Sequence, residues 1–154
     1  MSDWPSLTRR LAAIFYDTWL VLACIILAGA LMVGLRVLLQ GAPDGEPALG
    51  GYWRIPTFIV MLLVICHFFV YFWIKNSQTL AMQSWRIQVV DDKTGGNITL
   101  QQAYLRFFAA CLSWASLGLG YLWMLIDKQH KTWHDHLSGT RLVLVPKPDK
   151  NKRK

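Results

Sequence analysis

No paired catalytic carboxylates, no Ser/His/Asp grouping and no nucleotide-binding loop occur in these 154 residues. The histidines lack the glutamate of an H-E-x-x-H motif, so the pattern of a hydrolytic metal site is missing as well. The chain is not expected to be an enzyme, and no cofactor is expected. Cysteine is scarce: Cys24, Cys66 and Cys111 fall one per apolar segment, with neither disulfide nor metal spacing. They read as buried free thiols acting as small hydrophobes. A cleavable leader is lacking too, because the first apolar run is too long and has no small-residue cleavage site; it is expected to be retained.

Charge is sparse at 16% of residues, against 54% hydrophobic. A mean hydropathy of +0.31 is too apolar for an ordinary soluble domain. Eight Trp and five Tyr fit a protein with two membrane interfaces to anchor. The net charge of +7 resembles a nucleic-acid signature only until it is located. Half of the Lys and Arg lie after Asp127, without a folded soluble module around them, so nucleic-acid binding is not expected. Residues 147–154 form a basic tail, expected to be disordered and to meet anionic lipid headgroups.

The run 11–39 organises the chain. Residues 11–35 alone number 25, about 37 Å as a helix, which exceeds the hydrocarbon layer of about 30 Å. Arg9 and Arg10 mark its start and Asp17 lies inside it. Arg10 and Asp17 are two helical turns apart and project from nearly one face. Asp17 lies either within the membrane or at headgroup depth, because residues 18–35 already nearly suffice to span. Either way it needs a basic partner, since an unpaired carboxylate near lipid tends to protonate.

Pro5 and Ser6 can start a helix before Leu7. Residues 40–53 are rich in Gly and Pro and break it, and Tyr52 and Trp53 look like interface anchors. Residues 55–74 form a second span, closed by Tyr71, Trp73 and Lys75. His67 is the titratable group within it apart from thiol and phenol, and reads as a hydrogen-bonded neutral histidine. Residues 78–84 suit a short interfacial helix, and 85–89 alternate with period two as a half-buried strand. Residues 91–97 make a turn, and Thr99 with Gln102 fits a capping box opening a helix near Leu100. Residues 107–126 are a third apolar segment, helix-poor in its middle at Ser113, Ser116, Gly118 and Gly120. Residues 128–139 are polar, and 141–145 read as a second strand.

The expected fold is an all-α membrane protein. It has two full transmembrane helices, a third apolar segment, and a small two-stranded sheet on the cytoplasmic side. Lys and Arg number two before the first span, two after it, four after the second and eight after the third. Three full crossings would divide them six against ten. A re-entrant third segment divides them fourteen against two, which the positive-inside rule favours. Both termini and the strands are then expected in the cytoplasm, in a multi-pass protein of the cell membrane. A hairpin break at the glycines is tolerable where protein buries its backbone.

Several stretches resemble the RDD family of small membrane proteins, named for one arginine and two aspartates. Arg10-Leu11-Ala12-Ala13-Ile14-Phe15-Tyr16-Asp17 looks like its opening R-x-x-A-x-x-x-D. Gln78-Thr79-Leu80 with Arg86-Ile87-Gln88-Val89-Val90-Asp91 is similar to its central polar motif. The segment from Asp127 through His134-Asp135 to Gly139 and Thr140 is similar to its closing segment. The second aspartate then falls on Asp135, and Arg106 matches an arginine opening the last apolar segment. The resemblance covers residues 9–146. Asn76, Ser77 and Ala81 stand where the family usually has glycines near its central threonine. It implies a membrane transport role, with proton-coupled cation exchange for some members.

Arg10, Asp17, Arg106, Asp127 and Asp135 all lie near the expected cytoplasmic ends of apolar segments and can form a buried charge network. That network either holds helices in register or lets Asp17 exchange protons or bind a cation. His130, His134 and His136 form a second group, with His130 and His134 at helical i,i+4 spacing. That spacing can hold a transition metal, although a structural turn is favoured and no metal is expected. Two function classes remain. One is a small ion or solute transporter, homo-oligomeric or joined to a partner membrane protein. The other is a non-transporting scaffold that docks partners through its cytoplasmic strands and tail.

Overall fold

The structure is a computed structural model that describes residues 4–41, 45, 47 and 49–146. The expected basic tail and part of the Gly/Pro loop lie outside the described residues. Helix α1 runs Leu7–Gln40, with Ser6 in an extended conformation at its N-cap. Its 34 residues span about 51 Å, well beyond a bilayer's apolar layer. A 3₁₀ turn at Gly51–Trp53 leads into α2, Arg54–Asn76. Both helices are long and apolar enough to cross a membrane, and only 17% and 22% of their apolar windows are buried within the chain. Side chains such as Leu31, Leu38 and Phe58 are left facing outward. Such surfaces on helices that are apolar all round are stable against lipid, not water.

Helix α2 ends where Ser77 takes a left-handed conformation, φ 54°. Thr79 then caps the short α3, Leu80–Ser84, by accepting from the Met82 N–H. Arg86 is also left-handed, φ 55°, so the strand starts later than the alternation from Trp85 implies. Strand β1 is Ile87–Asp91, and β2 is Thr140–Leu144. They pair antiparallel with Ile87 opposite Leu144 and Asp91 opposite Thr140. Ile87 and Val89 turn inward and are fully buried, while the Val89 N–H bonds the Ser77 carbonyl at 2.8 Å. A two-stranded ribbon is not stable alone; here it packs on the helix ends.

The capping box at Thr99 and Gln102 forms as read, and it opens α4, Leu100–Ala115. The third apolar segment is not one helix. Helix α4 spans only about 24 Å, and the chain then bends by 108° into α5, Leu119–Leu122, and a 3₁₀ turn at Trp123–Leu125. The bend has two local causes. Leu117 and Gly118 are both left-handed, φ 55° and 79°, and Gly120 comes so close to Ser113 that an added Cβ would lie 2.3 Å from its Oγ. Helix α6, Trp133–Ser138, follows, capped by Thr132 with Asp135 and ended by left-handed Gly139. It packs against α4 and precedes β2 directly. Helix α2 contacts both α1 and α4, and its Cys66, Val70 and Trp73 join Phe107, Ile87 and Val89 in the core. Of the three thiols expected to be buried, Cys66 is buried, Cys24 is half-buried and Cys111 is exposed.

Candidate functional site

Two arginines from different helices converge on one carboxylate. Asp135, at the third position of α6, is fully buried. Its Oδ2 accepts from Arg10 Nη1 at 3.1 Å and from the Thr132 N–H at 3.1 Å. Its Oδ1 accepts from Arg106 Nη1, which also donates to Thr140 Oγ1 at 2.6 Å. Arg10 further donates to the Pro5 carbonyl at 3.3 Å and the His130 carbonyl at 3.0 Å. One carboxylate thus caps α6 and ties α1 to α4. Burial alone would raise the Asp135 carboxyl, but Arg106 and Arg10 hold it far below the usual carboxylate range.

His134 precedes it and is nearly as buried. Burial, with Arg106 close by, lowers its pKa from 6.5 to about 3, so the imidazole is neutral at physiological pH. Its ring lies against Tyr121 at 4.8 Å, and its Nε2 stands 4.0 Å from Asp135 Oδ1.

Asp17 departs from the expected pairing. Its Oδ2 accepts from Thr79 Oγ1 at 2.5 Å, and no cation lies at ion-pair distance among the described residues. The Ala81 backbone amide also faces the carboxylate, and Oδ1 makes no hydrogen bond. The reason is placement along α1. Asp17 lies seven residues, about 10 Å, beyond Arg10, level with α3 where α2 has ended. Helix α6 docks at the Arg10 level and captures that guanidinium.

Asp127 does not join the network either. It accepts from the Gln129 and Lys131 N–H groups at 3.0 and 2.9 Å and faces His136 Nε2 at 3.2 Å. Those contacts, the Lys131 amide first, lower its pKa. It closes the 127–131 loop, on the side of α6 that His136 occupies. His67 is exposed on α2, stacked on Tyr71 at 5.9 Å, far from the centre in sequence and facing outward. The three C-terminal histidines do not converge. His130 is left-handed before α6, so its i,i+4 spacing to His134 is not helical, and it stacks on Trp4 at 4.7 Å.

The centre opens onto a hollow of about 350 Å³ between α1, α2 and α4. Arg10, Asp17, Thr79, Trp73, Arg106 and His134 line its polar end. Apolar side chains such as Val21, Leu62 and Phe107 line the remainder. Four buried polar atoms on this lining have no hydrogen-bond partner: Asp17 Oδ1, Arg106 Nε, Trp73 Nε1 and His134 Nδ1. Arg106 also lies 5.4 Å from the Trp73 ring centroid, a cation–π contact.

The RDD family's sequence model matches residues 4–139, nearly the whole chain, including Arg10, Asp17, Arg106 and Asp135. The protein belongs to the RDD family. An uncharacterized protein of Rickettsia prowazekii is 30% identical over 90 residues, covering 58% of this chain and 50% of that protein. The match thus takes in about half the length of that relative. No solved structure matches the chain. Within this RDD protein the arginine and the second aspartate of the motif, Arg10 and Asp135, bind each other. The first aspartate, Asp17, stands apart on Thr79. Sequence reading missed the threonines Thr79, Thr132 and Thr140 as ligands of the charges. Thr132, three residues before Asp135, carried the signal of a helix cap.

Proposed function

We propose that this RDD protein is a small multi-pass membrane carrier that exchanges a cation or proton at Asp17. The observation that carries the reading is a buried carboxylate without a cationic partner, lining an interhelical hollow. An acid in such a place binds either a proton or a passing cation, because lipid and protein offer it little else. Arg10, Asp135 and Arg106 are its frame, with their charges already committed to one another. Both termini and the sheet face the cytoplasm in this reading, supported by the fourteen-to-two division of Lys and Arg. Two spans and a bent third segment enclose little pathway, which favours a homo-oligomer.

The test is flux through proteoliposomes holding only this protein, between about pH 6 and 9. Asp17→Asn keeps the side chain's size and its bond to Thr79 but removes the titratable charge. Flux should be lost from protein that remains folded and inserted. Full flux in the folded variant removes Asp17 as the exchanging group.

A further inference from the structure

The hollow has a polarity gradient along the helix axes. Its lining on α1 runs from Arg10 to Val21, and on α2 from Trp73 to Leu62, each about 16 Å. Its charged groups lie between the levels of Arg10 and Asp17, and the wall beyond them is mostly apolar, through Val21, Leu62 and Ile65. Thr18, Leu62, Cys111 and Trp114 border the hollow and are exposed on the outside of the helices, so it opens sideways where lipid would lie. The apolar part of the lining offers room beyond what an ion at Asp17 fills.

The unpartnered atoms state what the polar end accepts. Arg106 Nε–H and Trp73 Nε1–H are donors, Asp17 Oδ1 is an acceptor, and neutral His134 Nδ1 serves as either. Each residue is more than nine-tenths buried. With an ammonium facing it Asp17 is ionised, and Asp17 and Asp135 then match Arg10 and Arg106, so an occupant without net charge leaves the buried charge balanced.

We propose that the hollow binds the headgroup of a zwitterionic aminophospholipid that enters from the bilayer. Its primary ammonium donates to Asp17 Oδ1, and its phosphate accepts from Arg106 Nε and Trp73 Nε1. Its chains leave along the apolar slot past Cys111. A volume of about 350 Å³ holds the head and the start of the chains, the rest lying in the membrane. A choline head lacks the N–H donors, and a glycerol head lacks the cation. The proposal rests on Asp17 as a ligand-facing acid and names the class of ligand.

The intact protein is reconstituted separately with phosphatidylethanolamine, phosphatidylcholine or phosphatidylglycerol. Retained lipid is measured by mass spectrometry after detergent washing. Labelling of Cys111 by a lipid-soluble maleimide is mapped on peptides, with Cys24 as internal control. Phosphatidylethanolamine should be retained on the order of tenfold better than the other two, and should protect Cys111. Asp17→Asn should bring its retention down to that of phosphatidylcholine, and Trp73→Phe should weaken retention of all phosphate heads. Equal retention of the three lipids, or an unchanged preference in folded Asp17→Asn, overturns the proposal. So does protection of Cys111 through cross-linking to a second copy. Ion flux in the same vesicles separates the two readings. Asp17-dependent flux without lipid preference overturns the lipid site alone. Lipid preference that is lost in Asp17→Asn, with no flux from either protein, supports the site and overturns the carrier.

Discussion

Arg10 and Asp135 lie 125 positions apart in the chain and 3.1 Å apart in the fold. That contact fastens the start of the first long helix to the last helix, and Arg106 binds the same carboxylate from α4. Three helices therefore depend on one side chain whose surroundings exclude water.

Removing that charge should be costly. Asp135→Asn keeps an acceptor for the Thr132 N–H but leaves two guanidinium groups buried without a counter-charge. The expected loss is about 3–5 kcal/mol. In detergent it should appear as a fall in melting temperature of about 10 °C. Adding Arg106→Gln should recover part of the loss, because the surplus positive charge falls from two to one. A double variant no more stable than Asp135→Asn contradicts the network.

Acid should unfold the protein through His134 before it does so through Asp135. His134 has an ordinary pKa of 6.5 and is lowered by burial to about 3 in the fold. Between those values the unfolded chain binds a proton that the folded chain refuses. Its contribution is therefore complete above 6.5 and lost as pH falls towards 3. The slope is at most about 1.4 kcal/mol per pH unit. Asp135, lowered in the fold, adds a second loss below the ordinary carboxylate range of 3.8. Melting temperature against pH should bend downward below 6.5, and His134→Gln should flatten that first limb. An unchanged limb in the variant removes His134 as its cause.

The bend after α4 should tolerate no side chain at Gly120. Gly120→Ala places a Cβ 2.3 Å from Ser113 Oγ and 2.7 Å from Ser113 Cβ. Helices α4 and α5 must then part, at a cost of about 1–3 kcal/mol. Adding Ser113→Gly should restore part of it, less about 1 kcal/mol for glycine in a helix. Thermal melts of the three variants decide the matter, and a Gly120→Ala protein as stable as the parent rules out the close approach.

Topology should follow the loop charges. In a protein whose native cysteines are replaced, Gly45→Cys should react with an impermeant maleimide from outside intact cells. Asn97→Cys and Lys154→Cys should react only after permeabilisation. Labelling of Lys154→Cys from outside would mean that the bent third segment crosses completely.

Much of this architecture follows from local rules that a sequence carries openly. Residues 11–35 and 55–74 are long apolar runs, Thr99 and Gln102 a capping pair, and Gly118 and Gly120 helix breakers; α1, α2, α4 and the bend stand where those signals lie. The strands were legible from β-branched alternation, although left-handed Arg86 moved the first boundary. The charges were legible as a set but not as pairs. Arg10 and Asp17 share a helix face, and spacing alone joins them, yet α6 sits at the level of one and α3 at the level of the other. Asp127 and Asp135 both follow the third apolar run, but adjacent positions on α6 turn His136 and Asp135 to different sides. Which carboxylate is captured by two arginines, and which is left on Thr79 beside a hollow, depends on how distant segments dock. Helix formation and apolar runs are properties of neighbours in the chain, whereas a buried ion pair selects its partner among groups brought together by packing.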